Sequence, residues 1–185
     1  MDKTIKILGI AGSLREGSYN RGALNAAAGL VPEGAKIEIF DIAGFPDFIQ
    51  GQDEDPPQKV IDFKRKIREA DAILISSPEY NYSVPGVLKN AIDWASRPYG
   101  DSAWNRKPAA IMGASIGGIG TARMQYHLRQ IMVFLNMFPL NQPEVMISNA
   151  TGKFDAEGNL TDEKTKEFIA SMLTALVDWT RKLQG

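Results

Sequence analysis

Residues 12–20 read Gly-Ser-Leu-Arg-Glu-Gly-Ser-Tyr-Asn, which sets two hydroxyls, a guanidinium and two glycines between an apolar run and an Ala-rich segment. That combination suits an anion. Ser13 and Ser18 can donate hydrogen bonds and Arg15 supplies a planar, permanently charged fork. The start of the helix that follows offers unpaired amides and a positive dipole end. Asn20 either caps that helix or joins the anion site, and without a ligand the same residues describe a capped surface turn. No Gly-Lys-Ser or Gly-Lys-Thr follows and the G-x-G-x-x-G spacing is absent, so a mononucleotide fits better than a triphosphate or a dinucleotide.

A second loop, residues 77–86, reads Ser-Pro-Glu-Tyr-Asn-Tyr-Ser-Val-Pro-Gly. Two prolines stiffen it, so its backbone amides can face the edge of an isoalloxazine ring and stabilise negative charge there while a tyrosine covers the ring. Packing of both tyrosines on the sheet edge is the plainer alternative. A third segment, Gly-Ala-Ser-Ile-Gly at 113–117, places Ser115 and Gly117 in a turn that either touches the same ligand or simply leaves a strand. It also matches the G-x-S-x-G elbow of serine hydrolases, with Ser115 as nucleophile. The lone histidine, His127, follows twelve positions later with no acidic residue between them, which makes a hydrolase a remote alternative. A single histidine and no cysteine leave no metal centre in prospect.

These loops need a frame. Isoleucine-rich residues 4–10 predict a buried strand, with a helix opening at Asn20 and a strand over 36–40. A Pro- and Asp-rich loop at 52–57 leads to a charged helix ending near Ala70. Then follow a strand at 72–75, a helix through Asn90 to Ser96, a strand at 109–114 and a helix over 121–137. A fifth strand at 144–147, a hairpin over 153–160 and a final helix from Thr161 complete the pattern. Strict βα alternation predicts a flavodoxin-like, doubly wound, five-stranded parallel sheet of order 2-1-3-4-5 with helices on both faces, formed by residues 1–185 as one domain. The first two loops then meet at the crevice where strand order reverses.

Composition narrows the function. With 21 Lys and Arg against 22 Asp and Glu, the net charge is −1, so no global field draws in nucleic acid or an anionic membrane. Absence of cysteine removes disulfides and thiolate chemistry and fits the cytoplasm. The start at Met1 and Asp2 lacks the pattern of a signal peptide, and no apolar run reaches membrane-spanning length. On the fourth helix Met124, Leu128, Ile131 and Leu135 form one apolar stripe and Tyr126, Val133 and Met137 a second. A second stripe predicts a homodimer or homotetramer through helices three and four, with Arg123, Arg129 and Glu144 available for polar contacts.

The first motif, from Gly12 to Asn20, and the second, from Pro78 to Gly86, are followed by Leu-Lys-Asn-Ala-Ile-Asp-Trp at 88–94. Together they resemble the NADPH-dependent FMN reductase family, particularly its quinone and chromate reductases. The likeness runs from strand one through residues 126–130. It implies that Ser13, Arg15, Ser18 and Asn20 bind the FMN phosphate and that Pro78, Glu79, Tyr80, Asn81 and Tyr82 line the ring. It implies NADPH or NADH as donor, with ping-pong hydride transfer through flavin N5 to quinones and to related acceptors such as chromate, free flavin, azo or nitro compounds. No catalytic side chain is required. Arg97 is expected either to attract anionic substrates or to sit at a helix C-terminus. A flavodoxin-type electron carrier is the alternative function, though near-neutral charge disfavours it.

Overall fold

A computed structural model describes residues 3–185; Met1 and Asp2, where the start of the chain was read, lie outside the described residues. The sheet is built on β1 (Ile5–Ala11), β3 (Ala72–Ser76) and β4 (Pro108–Ala114). These apolar runs are buried almost throughout, as strands covered on both faces must be. β2 (Ala35–Phe40) lies at one edge and alternates in exposure. All pairings are parallel, with Ile7 opposite both Ile37 and Ala72 and Ile75 opposite Ile111. The order is β2-β1-β3-β4, followed by two short strands on β4, which realises the expected 2-1-3-4-5 sheet.

The fifth position departs from expectation. β5 (Phe138–Pro139) pairs with the start of β4 and β6 (Val145–Ile147) with its end. Pro139 and Pro143 flank the break, and a residue without an N–H cannot continue a ladder. The sequence pattern predicts only β6, because helical periodicity continues to Met137, past the end of α4 and up to β5.

Side chains alternate across the sheet. Ile5, Ile7, Leu74 and Met112 pack beneath α1 (Tyr19–Leu30) and α5 (Glu163–Gln184), whereas Leu8, Ile10, Ile73 and Ile111 face α2 (Gln58–Glu69), α3 (Gly86–Ala95) and α4 (Ala122–Phe134). α1 starts one residue before the expected Asn20, and α5 is capped by Asp162, which accepts from Thr165 N at 2.9 Å. The expected hairpin is a small one, with one antiparallel bridge between Phe154 and Leu160. It leans on α1: Phe154 lies 4.9 Å from the Tyr19 ring, and a Cβ on Gly22 would come 2.1 Å from Gly158 O.

The loop after β2 extends over residues 41–57, longer than the sequence suggested, and lies along α3. Asn90 Nδ2 and Trp94 Nε1 both donate to Pro46 O, and Phe48 N donates to Asn90 Oδ1. It therefore covers part of α3.

The ends of β1, β3 and β4 converge on Ser77. Gly12 N donates to Ser76 O and Ser77 N to Met112 O, extending the ladders one residue past β3. A Cβ on Gly12 would lie 2.3 Å from Ser77 Oγ, and one on Gly113 would lie 2.2 Å from Ser77 O and 2.3 Å from Thr121 Oγ1. Neither position has room for a side chain. Gly113→Ala is expected to lower the unfolding free energy by about 1–3 kcal/mol in urea titration, the cost of forced overpacking. A loss under about 0.5 kcal/mol, typical of an unconstrained surface site, would mean that the strand ends separate freely.

Candidate functional site

The first loop leaves β1 at Gly12 and enters α1 at Ser18. Ser13 and Ser18 are buried, while Leu14 to Gly17 are exposed. Ser13 Oγ accepts from Arg15 N at 3.3 Å, which folds the loop back on itself. Ser18 stands at the N-cap, yet its side chain makes no capping hydrogen bond. The first bond to the cap is Gly22 N to Ser18 O, so the amides of Tyr19, Asn20 and Arg21 have no partner among the described residues. Arg15 reaches back over this end; its Nη2 donates to Gly17 O at 2.9 Å and its guanidinium carbon lies 5.3 Å from the Tyr19 ring centre. Hydroxyls, a cation and open amides at one helix end fit a phosphate dianion.

Asn20 departs from its expected place in that set. It is 3% exposed, its Nδ2 donates to Ala114 O at 2.9 Å and its Oδ1 accepts from Ala114 N at 2.8 Å. Ser76 Oγ donates to Asn20 O at 2.9 Å. Both ends of the amide are thus committed to the last residue of β4. The residue neither caps α1 nor presents its side chain to an anion: it is a strap between β4 and the first turn of α1.

The second loop runs from buried Pro78 to a tight turn in which Tyr80 N donates to Ser83 O and Ser83 N to Tyr80 O. Asn81 and Tyr82 both have left-handed backbones, φ 50° and 66°. Such geometry in non-glycine residues costs about 1–3 kcal/mol each and persists only where the surroundings hold it. The rings of Tyr80 and Tyr82 are open to solvent, Tyr82 at 69%.

Glu79 corrects another expectation. Its side chain is 5% exposed and turns away from the turn's outer surface toward α4, accepting from Arg123 Nε at 2.5 Å and Met124 N at 3.1 Å. The carboxylate thereby serves the positive end of α4 and a guanidinium, and its backbone remains its only means of lining a ring. Arg123 then lies 3.6 Å below the Tyr82 ring centre, and Ser83 Oγ shares a 2.8 Å hydrogen bond with His127 Nδ1. The intramolecular roles of Arg123 and His127 were missed. Their i, i+4 spacing marks one face of a helix, but nothing in the sequence says that a loop forty residues earlier lies on that face.

The third loop leaves β4 at Ala114. Ser115 Oγ accepts from Gly117 N at 3.2 Å and Ser115 O accepts from Ala150 N. Ile116 and Ile119 are exposed on its rim. Since Ser115 is bonded within its own turn and His127 to Ser83, the hydrolase alternative has no nucleophile and base pair. Arg97 is also remote: ten helical residues, about 15 Å of rise, separate it from the loop that begins α3. There Arg97 O accepts from Lys64 Nζ. That same buried ammonium, with Arg68, holds the Asp101 carboxyl below the usual carboxylate range.

Comparison with known proteins places the whole chain in a family. The model of the NADPH-dependent FMN reductase family matches residues 5–152. An NAD(P)H-dependent FMN reductase of Pseudomonas aeruginosa is 56% identical over 190 residues, covering 100% of both chains. A 2-hydroxy-1,4-benzoquinone reductase of Burkholderia is 44% identical over 177 residues, 96% of this chain and 97% of that one. Among solved structures, a flavoenzyme NAD(P)H:(acceptor) oxidoreductase of Paracoccus denitrificans superposes with a TM-score of 0.87 at 36% identity, over 96% of this chain and 98% of the other.

Asn20→Ala would leave the buried N–H and C=O of Ala114 unpaired, and the apoprotein should lose about 2–4 kcal/mol in urea titration. An unchanged apoprotein stability would contradict the strap.

Proposed function

The chain belongs to the NADPH-dependent FMN reductase family, and from that premise we propose that residues 1–185 act as one FMN-binding domain that reduces quinones with NADPH or NADH. Free flavin, azo and nitro compounds and chromate are further acceptors in this reading. The observation that carries it is the convergence of three loops at the β1/β3 switch point. A buried pair of hydroxyls, an exposed guanidinium and the open first turn of α1 stand on one side, and an aromatic turn on the other.

Ser13, Arg15 and Ser18 would hold the phosphate, with the amides of Tyr19 to Arg21 supplying the field of a helix end. Pro78 to Tyr82 would line the ring through their backbone, with Tyr80 and Tyr82 flanking it, and Ser115 and Gly117 would close the third side. FMN held by these residues would supply hydride chemistry at N5 between the nicotinamide and the acceptor. The chain's own task is orientation. Strand ends fixed around Ser77 set the spacing between the phosphate loop and the aromatic turn, and the exposed rim admits donor and acceptor in succession. Pairing of Glu79 with Arg123 keeps a bare carboxylate away from a ring that gains negative charge.

Self-association belongs to the same reading. On α4, Met124 and Leu128 are buried against the sheet, with Leu135 just beyond the helix and Ile131 partly covered, while Tyr126, Val133 and Phe134 face outward. Met137 is buried, so it leaves the outer stripe, and Phe134, exposed at 73%, takes its place. Such a face suits a homodimer or homotetramer centred on α4 more than α3, with Arg129 and Glu144 at its margin. A cytoplasmic site of action suits a cysteine-free chain with no helix long and apolar enough to cross a membrane among the described residues.

Anaerobic addition of NADPH or NADH to the FMN-loaded protein should bleach the flavin bands, and a quinone should restore them in stoichiometric amount. Flavin that binds but resists both nicotinamides would point to an electron carrier. Arg15→Ala should weaken FMN about 10- to 100-fold in fluorescence titration, the scale of a lost charged hydrogen bond. Sedimentation should give a dimer or larger species for the native chain and a smaller one for Val133→Glu/Phe134→Glu. Native protein running as a monomer at micromolar concentration would refute the assembly.

A further inference from the structure

The turn at Tyr80 to Ser83 is strained, exposed and gripped from one side. Two consecutive residues without glycine's freedom adopt left-handed backbones, and the second carries an aromatic ring. Two backbone hydrogen bonds close the turn but do not explain why it stays in this shape at the surface. The remaining contacts come from α4. Arg123 pairs with the buried Glu79 carboxylate just before the turn and lies under the Tyr82 ring within it. His127, one helical turn further on, holds Ser83 at its other end. Both ends and the apex are therefore fixed to a single rigid face.

We propose that Arg123 and His127 are positioning residues that hold the Tyr82 ring as a fixed platform, and that this platform sets how tightly a planar electron acceptor is held. The proposal rests on the quinone reductase reading and deepens it. With the guanidinium against one face of Tyr82, the ring's exposure is left to its other face and its edges, where a flat quinone can stack. Neither Arg123 nor His127 needs to touch the acceptor. Neither belongs to the phosphate loop, so their influence falls on the turn beside the ring and on the acceptor, and leaves the phosphate contacts of FMN in place.

The test combines kinetics with a measurement on apoprotein. Arg123→Met should raise KM for 1,4-benzoquinone about three- to thirty-fold, the scale of a partly desolvated cation–π contact, with kcat much less affected. Affinity for FMN should fall by less than the roughly 10-fold expected of Arg15→Ala, because the charged phosphate contact is kept. His127→Leu should act in the same direction and His127→Gln, which can still bond Ser83, should recover native behaviour. In a Tyr82→Gly background Arg123→Met should add nothing to KM. In apoprotein, chymotrypsin should cut after Tyr80 or Tyr82 faster in Arg123→Met and His127→Leu than in the native chain. Should Arg123→Met fail to fold because Glu79 loses its partner, the Glu79→Gln/Arg123→Met pair removes both charges and takes its place. Native cleavage and native KM in these variants would overturn the inference while leaving the reductase reading intact. Failure of the native protein to reduce a quinone would refute that reading and with it the role assigned to the platform, while the apoprotein cleavage would still decide whether α4 holds the turn.

Discussion

Backbone crowding around Ser77 is the constraint from which the rest of the site follows. Three parallel strands end together, and the chain must turn out of each without lifting its neighbours. Gly12 lies against the Ser77 side chain and Gly113 against its carbonyl, at distances that no Cβ could occupy. Hydrogen bonds from Gly12 N to Ser76 O and from Ser77 N to Met112 O run through the same point. Tight interiors transmit position well because they cannot deform gradually. The loops that grow from this point consequently start from fixed origins, although their own tips are exposed.

A second layer of restraint ties each loop to an element that did not generate it. Asn20 joins the first turn of α1 to the end of β4, and Glu79 with Arg123 joins the loop after β3 to α4. In both cases a polar side chain that could have served a ligand is spent on backbone or counter-charge. The geometry left for ligands is therefore largely geometry of main-chain amides and hydroxyls. Such groups are pre-oriented by the fold, and they need no ionisation change to act.

The fold was legible because its signals are local. Apolar runs at β1, β3 and β4, each followed by a glycine or proline loop and a helical stretch, leave little choice but a doubly wound sheet. The turn from Gly12 to Ser18 was legible for the same reason, since strand end, turn and helix start lie within nine residues. What escaped notice was non-local. Asn20 looked like a cap because caps occur there; its partner Ala114 is 94 positions away. Glu79 looked like part of a ring-binding loop because its neighbours do. β5 hides in the tail of a helical pattern, and Met137 falls on the outer stripe only if helical spacing continues past Phe134, where α4 ends. Phe134 presents the converse case, since an exposed phenylalanine has no sequence signature apart from what surrounds it.

The small hairpin at 153–161 closes against α1, with Gly158 beside Gly22 and Phe154 on Tyr19. It lies beyond residue 152, where the match to the family model stops. Synthesis from the N-terminal side therefore produces the motif of residues 12–20 long before the groups that press on that side of α1. The first segment whose chemistry can be read from the sequence is thus among the last to gain all its neighbours.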